Sequence, residues 1–260
     1  MLFFVGQVLP YIAAAVFLVA TLLRLAGWLR VPVPFPLTLG PSARRRGLGR
    51  IMAVGREVIF FDSLRRGDRM LWLWAWLLHI SLILILVGHV AGISYLTRQF
   101  MPAGLSAEAS SRLSAISGTI CGTVLLAALV ALFCRRMVIA EVRRLSCAAD
   151  YFLLVLLVAI AVIGMYMRLG GDAVELAAVR AYAAGLLTLH PVPIPRHWAF
   201  ISHFILVNIL LLYLPSSKLI HMAGIFFGRA LVTQPPPVYP TPTGARCRPS
   251  FTPEAAGHES

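Results

Sequence analysis

The chain has 260 residues, 59% hydrophobic and 13% charged, with a mean hydropathy of +0.84. A soluble domain of this length has no interior large enough for so much apolar surface, so the composition points to a membrane protein. The net charge of +13 comes from 23 Lys and Arg against 10 Asp and Glu. These cations gather between apolar runs, as the positive-inside rule expects, which argues against nucleic acid as a partner.

Five runs approach the ~20 residues a helix needs to cross a bilayer, at about 4–28, 71–95, 114–134, 150–168 and 199–225. Strand-like alternation is absent, which argues against a β-barrel. The expected fold is therefore all-α, an integral membrane bundle of five transmembrane helices. The first run, MLFFVGQVLPYIAAAVFLVATLLRLAGWLR, carries its positive charge after the apolar stretch and has no A-x-A site at the right distance. It reads as an uncleaved helix.

The following loop, about 30–69, holds nine arginines. Its VPVPFPLTLGP segment is too Pro-rich for a helix and reads as an extended connector. GLGRIMAVGREVIFFDSLRR suits either an amphipathic helix on the inner leaflet or a basic loop held by anionic lipid. The second run, LWLWAWLLHISLILILVGHVAGI, contains His79 and His89, ten residues apart. The next loop, about 96–113, has only Arg98 and Arg112, with Glu108. After the third run come Arg135, Arg136, Arg143 and Arg144. The loop after the fourth, about 169–198, mixes Asp172, Glu175, Arg180 and Arg196. The fifth run, FISHFILVNILLLYLPSSKLIHMAGIFF, contains His203 and His221, eighteen apart. Residues 229–260 are dominated by Pro, Gly and Ser and read as a disordered cytoplasmic tail, leaving 1–228 as the membrane domain. Basic density alternates high, low, high, low, high, which places the N-terminus outside and the C-terminus in the cytoplasm.

An ionisable group inside a bilayer is costly and needs a partner. Four histidines on two runs that contain no Asp or Glu point to paired ligation, and two bis-histidine haems fit that count. Antiparallel helices couple His79 with His221 on the cytoplasmic side, and His89 with His203 on the outer side. His79 and His89 differ in depth by about 15 Å, and His203 and His221 by about 27 Å. Eighteen residues return to one helix face, whereas ten leave an offset of roughly 80°, so tilt and a kink at Pro215 are expected. Cys121, Cys134, Cys147 and Cys247 form neither CxxC nor CxxCH, which argues against covalent haem attachment and against an iron–sulfur cluster in this chain.

Other residues are candidates by position. His190 and His197, in LTLHPVPIPRHW, would assist quinol deprotonation, the proton-transfer role histidine as a residue type suits, or else are solvent-facing loop residues. Arg112 would pair with a quinone oxygen or a propionate, or anchor its helix at the interface. Lys218 would reach an inner propionate or snorkel. Gly88 would let a macrocycle approach the backbone or would pack against a helix.

The pieces LPYIAAAVFLVATLLR, LLHISLILILVGHVAGI and ISHFILVNILLLYLPSSKLIH, with TLH at 188–190, resemble the gamma subunit of respiratory nitrate reductase, the di-haem cytochrome b anchor, over most of 7–225. The resemblance implies that His79, His89, His203 and His221 ligate two b haems, with the same pairing. It further implies a subunit of the cell inner membrane that oxidises quinol or menaquinol and feeds a cytoplasmic iron–sulfur subunit and a catalytic subunit. VPVPFP, FFDSLRR and LWLWAWLLH look more like the related membrane cytochrome of sulfite-reductase-associated and heterodisulfide-reductase-like complexes, which is the alternative assignment. A non-redox membrane anchor or metal transporter is the alternative of another class.

Overall fold

The computed structural model describes residues 1–30, 48–170, 174–220 and 224. The VPVPFP connector, His221 and the tail at 229–260 lie outside the described residues. The described residues are helical, without strands, and five helices are long and apolar enough to cross a membrane.

A short π-helical turn, Phe4–Val8, leads into α1 (Leu9–Arg30). The basic loop after it contains α2 (Leu48–Phe60) and α3 (Asp62–Gly67). Of the two readings of this segment, the helix is the one observed. Helix α4 (Arg69–Tyr95) begins at Asp68, whose side chain accepts from the Leu71 N–H at 2.9 Å, a standard way to satisfy a free helix-end donor. Helix α5 (Ala107–Val138) is capped by Ser106 and is longer than the apolar run alone suggests, because polar residues at both ends continue the helix. After α6 (Ala140–Arg144) comes α7 (Ala148–Leu169), capped by Cys147 and Asp150. The segment read as a simple fourth loop contains a further helix, α8 (Leu176–Leu187), and α9 is Trp198–Tyr213.

The fifth span is shorter than the expected 199–225. Helix α9 stops at Tyr213, followed by 3-10 turns at Leu214–Ser216 and Lys218–Ile220 with extended backbone at Ser217 between them. Pro215 is the cause: it has no N–H for the helix and its ring clashes with the preceding turn. The expected kink is thus a break: helix α9 ends at Tyr213 and does not continue through Ile220.

Side-chain contacts at the helix ends show that consecutive spans are antiparallel. At one end, here called the basic end, Arg135 pairs with Asp68, Arg136 and Lys218 both pair with Asp150, and Arg24 donates to the Pro215 carbonyl. At the opposite end, the Ser110 hydroxyl donates to the Thr97 carbonyl and Arg168 donates to the Ser114 and Ala115 carbonyls. There the Tyr11 hydroxyl donates to the Leu186 carbonyl at 3.0 Å, and the Tyr182 hydroxyl to that of Gly6 at 2.5 Å. Helix α8 is fastened at this end. Burial pushes the Tyr182 hydroxyl up to about 12, so it stays a donor.

Leu125, Leu129 and Ala161 form a buried core, joined by Leu78, Leu82 and Ile85 from α4 and Leu154, Leu157 and Val158 from α7. Helix α9 packs on α7 and α1. The two histidine-bearing helices, α4 and α9, are held apart, bridged by α5 and α7 rather than packed extensively on one another. Large apolar residues such as Leu22, Ile83, Leu86, Ile120 and Val155 stay exposed, as a lipid-facing surface requires.

Candidate functional site

His89 on α4 and His203 on α9 face each other across the space between these helices. Their rings lie within 4° of parallel, with centres 6.4 Å apart. That is too far for direct stacking contact or a hydrogen bond. Each ring is oriented through Nδ1. His89 Nδ1 lies 2.7 Å from the Ile85 carbonyl one turn back, and His203 Nδ1 lies 3.1 Å from the Ile160 carbonyl of α7. A carbonyl only accepts, so Nδ1 carries the proton and Nε2 keeps its lone pair.

These rings fit a shared metal. With about 2.0 Å for a metal–imidazole bond and about 1.1 Å from nitrogen to ring centre, two imidazoles on one metal place their centres about 6.2 Å apart. Among the described residues no three or more His, Cys, Asp or Glu side chains gather as a metal cluster. A pair of imidazoles is what a macrocycle leaves for the protein to supply, since it brings its own equatorial nitrogens.

Neighbouring residues shape the pair. Gly164 of α7 faces the His203 ring, and a Cβ there would lie 3.3 Å from Cε1 and 3.6 Å from Nδ1. Gly88, singled out beside His89, borders open space: a Cβ would meet nothing within 4 Å.

His79 lies ten residues before His89 on α4, toward the basic end, and repeats the pattern, with Nδ1 2.7 Å from the Ala75 carbonyl. The Phe61 ring meets it edge-to-face, centres 5.1 Å apart. Phe61 joins α2 to α3 with φ 50°, a left-handed conformation unusual for a bulky residue. It is braced on both sides. The Trp72 and Trp76 indole N–H groups donate to the Phe60 and Ile59 carbonyls, and the buried Asp62 takes Arg56 at 2.6 Å and Arg65 at 3.5 Å.

The secondary candidates each take a local partner. Arg112 pairs with Glu108 at 2.6 Å, one turn away on α5, with both side chains about three-quarters exposed. His190 Nδ1 lies 2.8 Å from the Thr188 carbonyl in an exposed turn. Among the described residues no hydrogen bond or ion pair links the two. Lys218 bonds Asp150 at 2.7 Å, so the structure ties it into a charge cluster. His197, just before α9, has both ring nitrogens buried and without a hydrogen-bond partner among the described residues.

Gly164, Phe61 and Asp150 were not singled out from sequence. Asp150 had a usable signal, a carboxylate at the start of an apolar run, which suits a helix N-terminus. The other two act through tertiary contacts and have no local signature.

A five-span helical chain with intramembrane histidines set across a gap has the form of a membrane cytochrome. The chain belongs to the nitrate reductase gamma subunit family, whose model matches residues 64–239. It is also similar to two proteins described as Hdr-like menaquinol oxidoreductase cytochrome b-like subunits. The one from Archaeoglobus fulgidus is 32% identical over 263 aligned positions, covering 85% of this chain and 77% of the relative. The one from Archaeoglobus profundus is 28% identical over 269, covering 86% and 77%.

Proposed function

We propose that this chain is the cytochrome b-like subunit of a membrane-bound, Hdr-like menaquinol oxidoreductase, holding two b haems. The observation that supports the reading best is the parallel His89–His203 pair at metal-sharing distance. His89 and His203 would hold one haem, and His79 and His221 the other. Haem, when bound, supplies a one-electron carrier that no side chain of this protein provides.

The chain's own work is positional. The Ile85, Ile160 and Ala75 carbonyls engage Nδ1 of three imidazoles, so each Nε2 is the nitrogen left to hold a metal. Gly164 leaves room for the His203 ring, and Phe61 covers one side of His79. The basic loops put the basic end in the cytoplasm, so His79 faces an electron-accepting iron–sulfur partner and His89 lies on the outer side. Quinol oxidised near the outer couple would release its protons outside. Arg112 and His190 remain the candidates for that site, and His197, with buried unpartnered nitrogens, joins them.

One feature favours the Hdr-like assignment over nitrate: the relatives carry that description over most of this chain. The match to the nitrate reductase gamma model keeps nitrate as the second reading. Purification with partner subunits followed by a pyridine haemochrome assay tests the proposal, with about two haems per chain expected from two bis-histidine sites. A preparation with none ends the redox reading. Copurification with a molybdenum subunit would favour nitrate.

A further inference from the structure

Helix α4 ends beyond His89 in an unusual way. Leu96 and Thr97 take φ of 48° and 67°, two successive left-handed residues that are not glycine. Each such residue costs about 1 kcal/mol or more. The turn brings Arg98 back over the helix end, its N–H on the Tyr95 carbonyl at 3.0 Å. Alongside lies α8. Between them is a cavity of about 520 Å³ bounded by Ser94, Tyr95, Leu96, Arg98, Met101 and Arg180, together with Pro102.

The lining has two guanidiniums and no acid. Among the described residues neither Arg98 nor Arg180 has an ion pair, whereas Arg56, Arg112, Arg135 and Arg136 all do. Two like charges set around one cavity repel unless an anion joins them, and a guanidinium fork is built to take a carboxylate with two parallel hydrogen bonds. The cavity also lies in line with the outer couple. Tyr95 is six residues past His89, about 9 Å along the axis, and Leu96 returns to the His89 face. A haem held at His89 would bring two propionate carboxylates that need cationic partners.

We propose that Arg98 and Arg180 form a carboxylate-binding site that holds the two propionates of the haem between His89 and His203. The strained Leu96–Thr97 turn and the fastening of α8 through Tyr182 set the two guanidiniums in place from opposite sides. The proposal rests on the two-haem reading above.

The test uses the full chain in its complex. The double variants Arg98→Gln/Arg180→Gln and Arg98→Lys/Arg180→Lys are compared with the parent by redox titration, by resonance Raman spectroscopy of the propionate bending modes, and by mass spectrometry of retained phospholipid. Loss of positive charge disfavours the reduced iron, so the Gln pair lowers the outer midpoint potential, leaves the inner one in place and shifts a propionate mode. The Lys pair keeps most of the potential and still shifts the mode, because a point charge lacks the fork. Unmoved modes and potentials in variants that retain both haems overturn the proposal. So does loss of anionic phospholipid with unmoved modes, which would make a lipid phosphate the occupant. A parent protein without haem fails the functional reading instead. If the double variants do not assemble, the single Arg98→Lys and Arg180→Lys variants are read by the same criteria.

Discussion

Replacing Gly164 with alanine separates the role of the His203 seat from that of the fold. The new methyl would sit 3.3 Å from His203 Cε1 and 3.6 Å from Nδ1, so the ring must retreat by a few tenths of an ångström. Its bond to the Ile160 carbonyl is 3.1 Å, near the long edge of the N–H···O range, about 2.7–3.2 Å. Retreat therefore breaks it. Losing the group that orients a metal-binding histidine lowers affinity by about 10- to 100-fold, or about 1.4–2.8 kcal/mol. The backbone effect has the opposite sign, since alanine inside a helix is favoured over glycine by about 1 kcal/mol. The expected result is an unchanged or raised unfolding temperature, a depleted or potential-shifted outer haem and an intact inner haem. The assays are haem content, redox titration and thermal unfolding in detergent. Outer-haem occupancy and spectrum identical to the parent, in Gly164→Ala and in the bulkier Gly164→Val, would refute the reasoning.

Three further outcomes are expected. His89→Ala and His203→Ala should remove the same haem, and His79→Ala the other, leaving about one haem per chain of the two expected from bis-histidine pairing; pyridine haemochrome assays with redox titration would expose a wrong pairing if His79→Ala and His89→Ala erased the same potential. Phe61→Gly should relieve about 1 kcal/mol of left-handed strain while uncovering His79, so the chain stays folded and water entry lowers only the inner midpoint potential; an unmoved inner potential rejects the covering role. The Asp68 carboxyl is held below its ordinary 3.8 by the Leu71 N–H first, against its own desolvation, and then by Arg135. A depressed folded value means stability that is present above the unfolded value and lost as pH falls through the folded one; Asp68→Asn, which keeps a capping oxygen, should therefore be less stable than the parent at neutral pH, with the gap closing in acid unfolding scans.

The spans were legible in the sequence because they follow from one-dimensional rules. Apolar length sets a span, and alternation of direction sets which histidines share a level; the His89 and His203 rings lie 6.4 Å apart, centre to centre, on two such spans. Helix α8 was missed because a 12-residue amphiphilic helix between two spans has neither the length of a span nor a strong stripe. Gly164 was missed for another reason. Its function is the absence of a side chain opposite a ring on α9, and no local pattern encodes that. Lys218, read as reaching an inner propionate or snorkelling, bonds Asp150, 68 positions away in the chain, a contact no local pattern encodes.

Under the proposed pairing, the break after Tyr213 would let two helices with mismatched histidine spacing serve antiparallel couples. Ten residues on α4 and eighteen across the α9 region differ by about 12 Å of rise if both are straight helix. A continuous α9 would carry His221 well beyond the level of His79. Pro215 ends the helix, and the chain then runs through 3-10 turns with an extended residue at Ser217. Arg24 holds the Pro215 carbonyl, and Asp150 holds Lys218 two residues before the second turn ends. The chain direction after α9 is therefore set by α1 and α7 rather than by helix continuation. Changing Pro215 to alanine would let the helix run on while leaving both partners in place, so it should disturb the inner haem and spare the His89–His203 couple. Redox titration that found the outer haem disturbed instead would place the break in the service of the wrong couple.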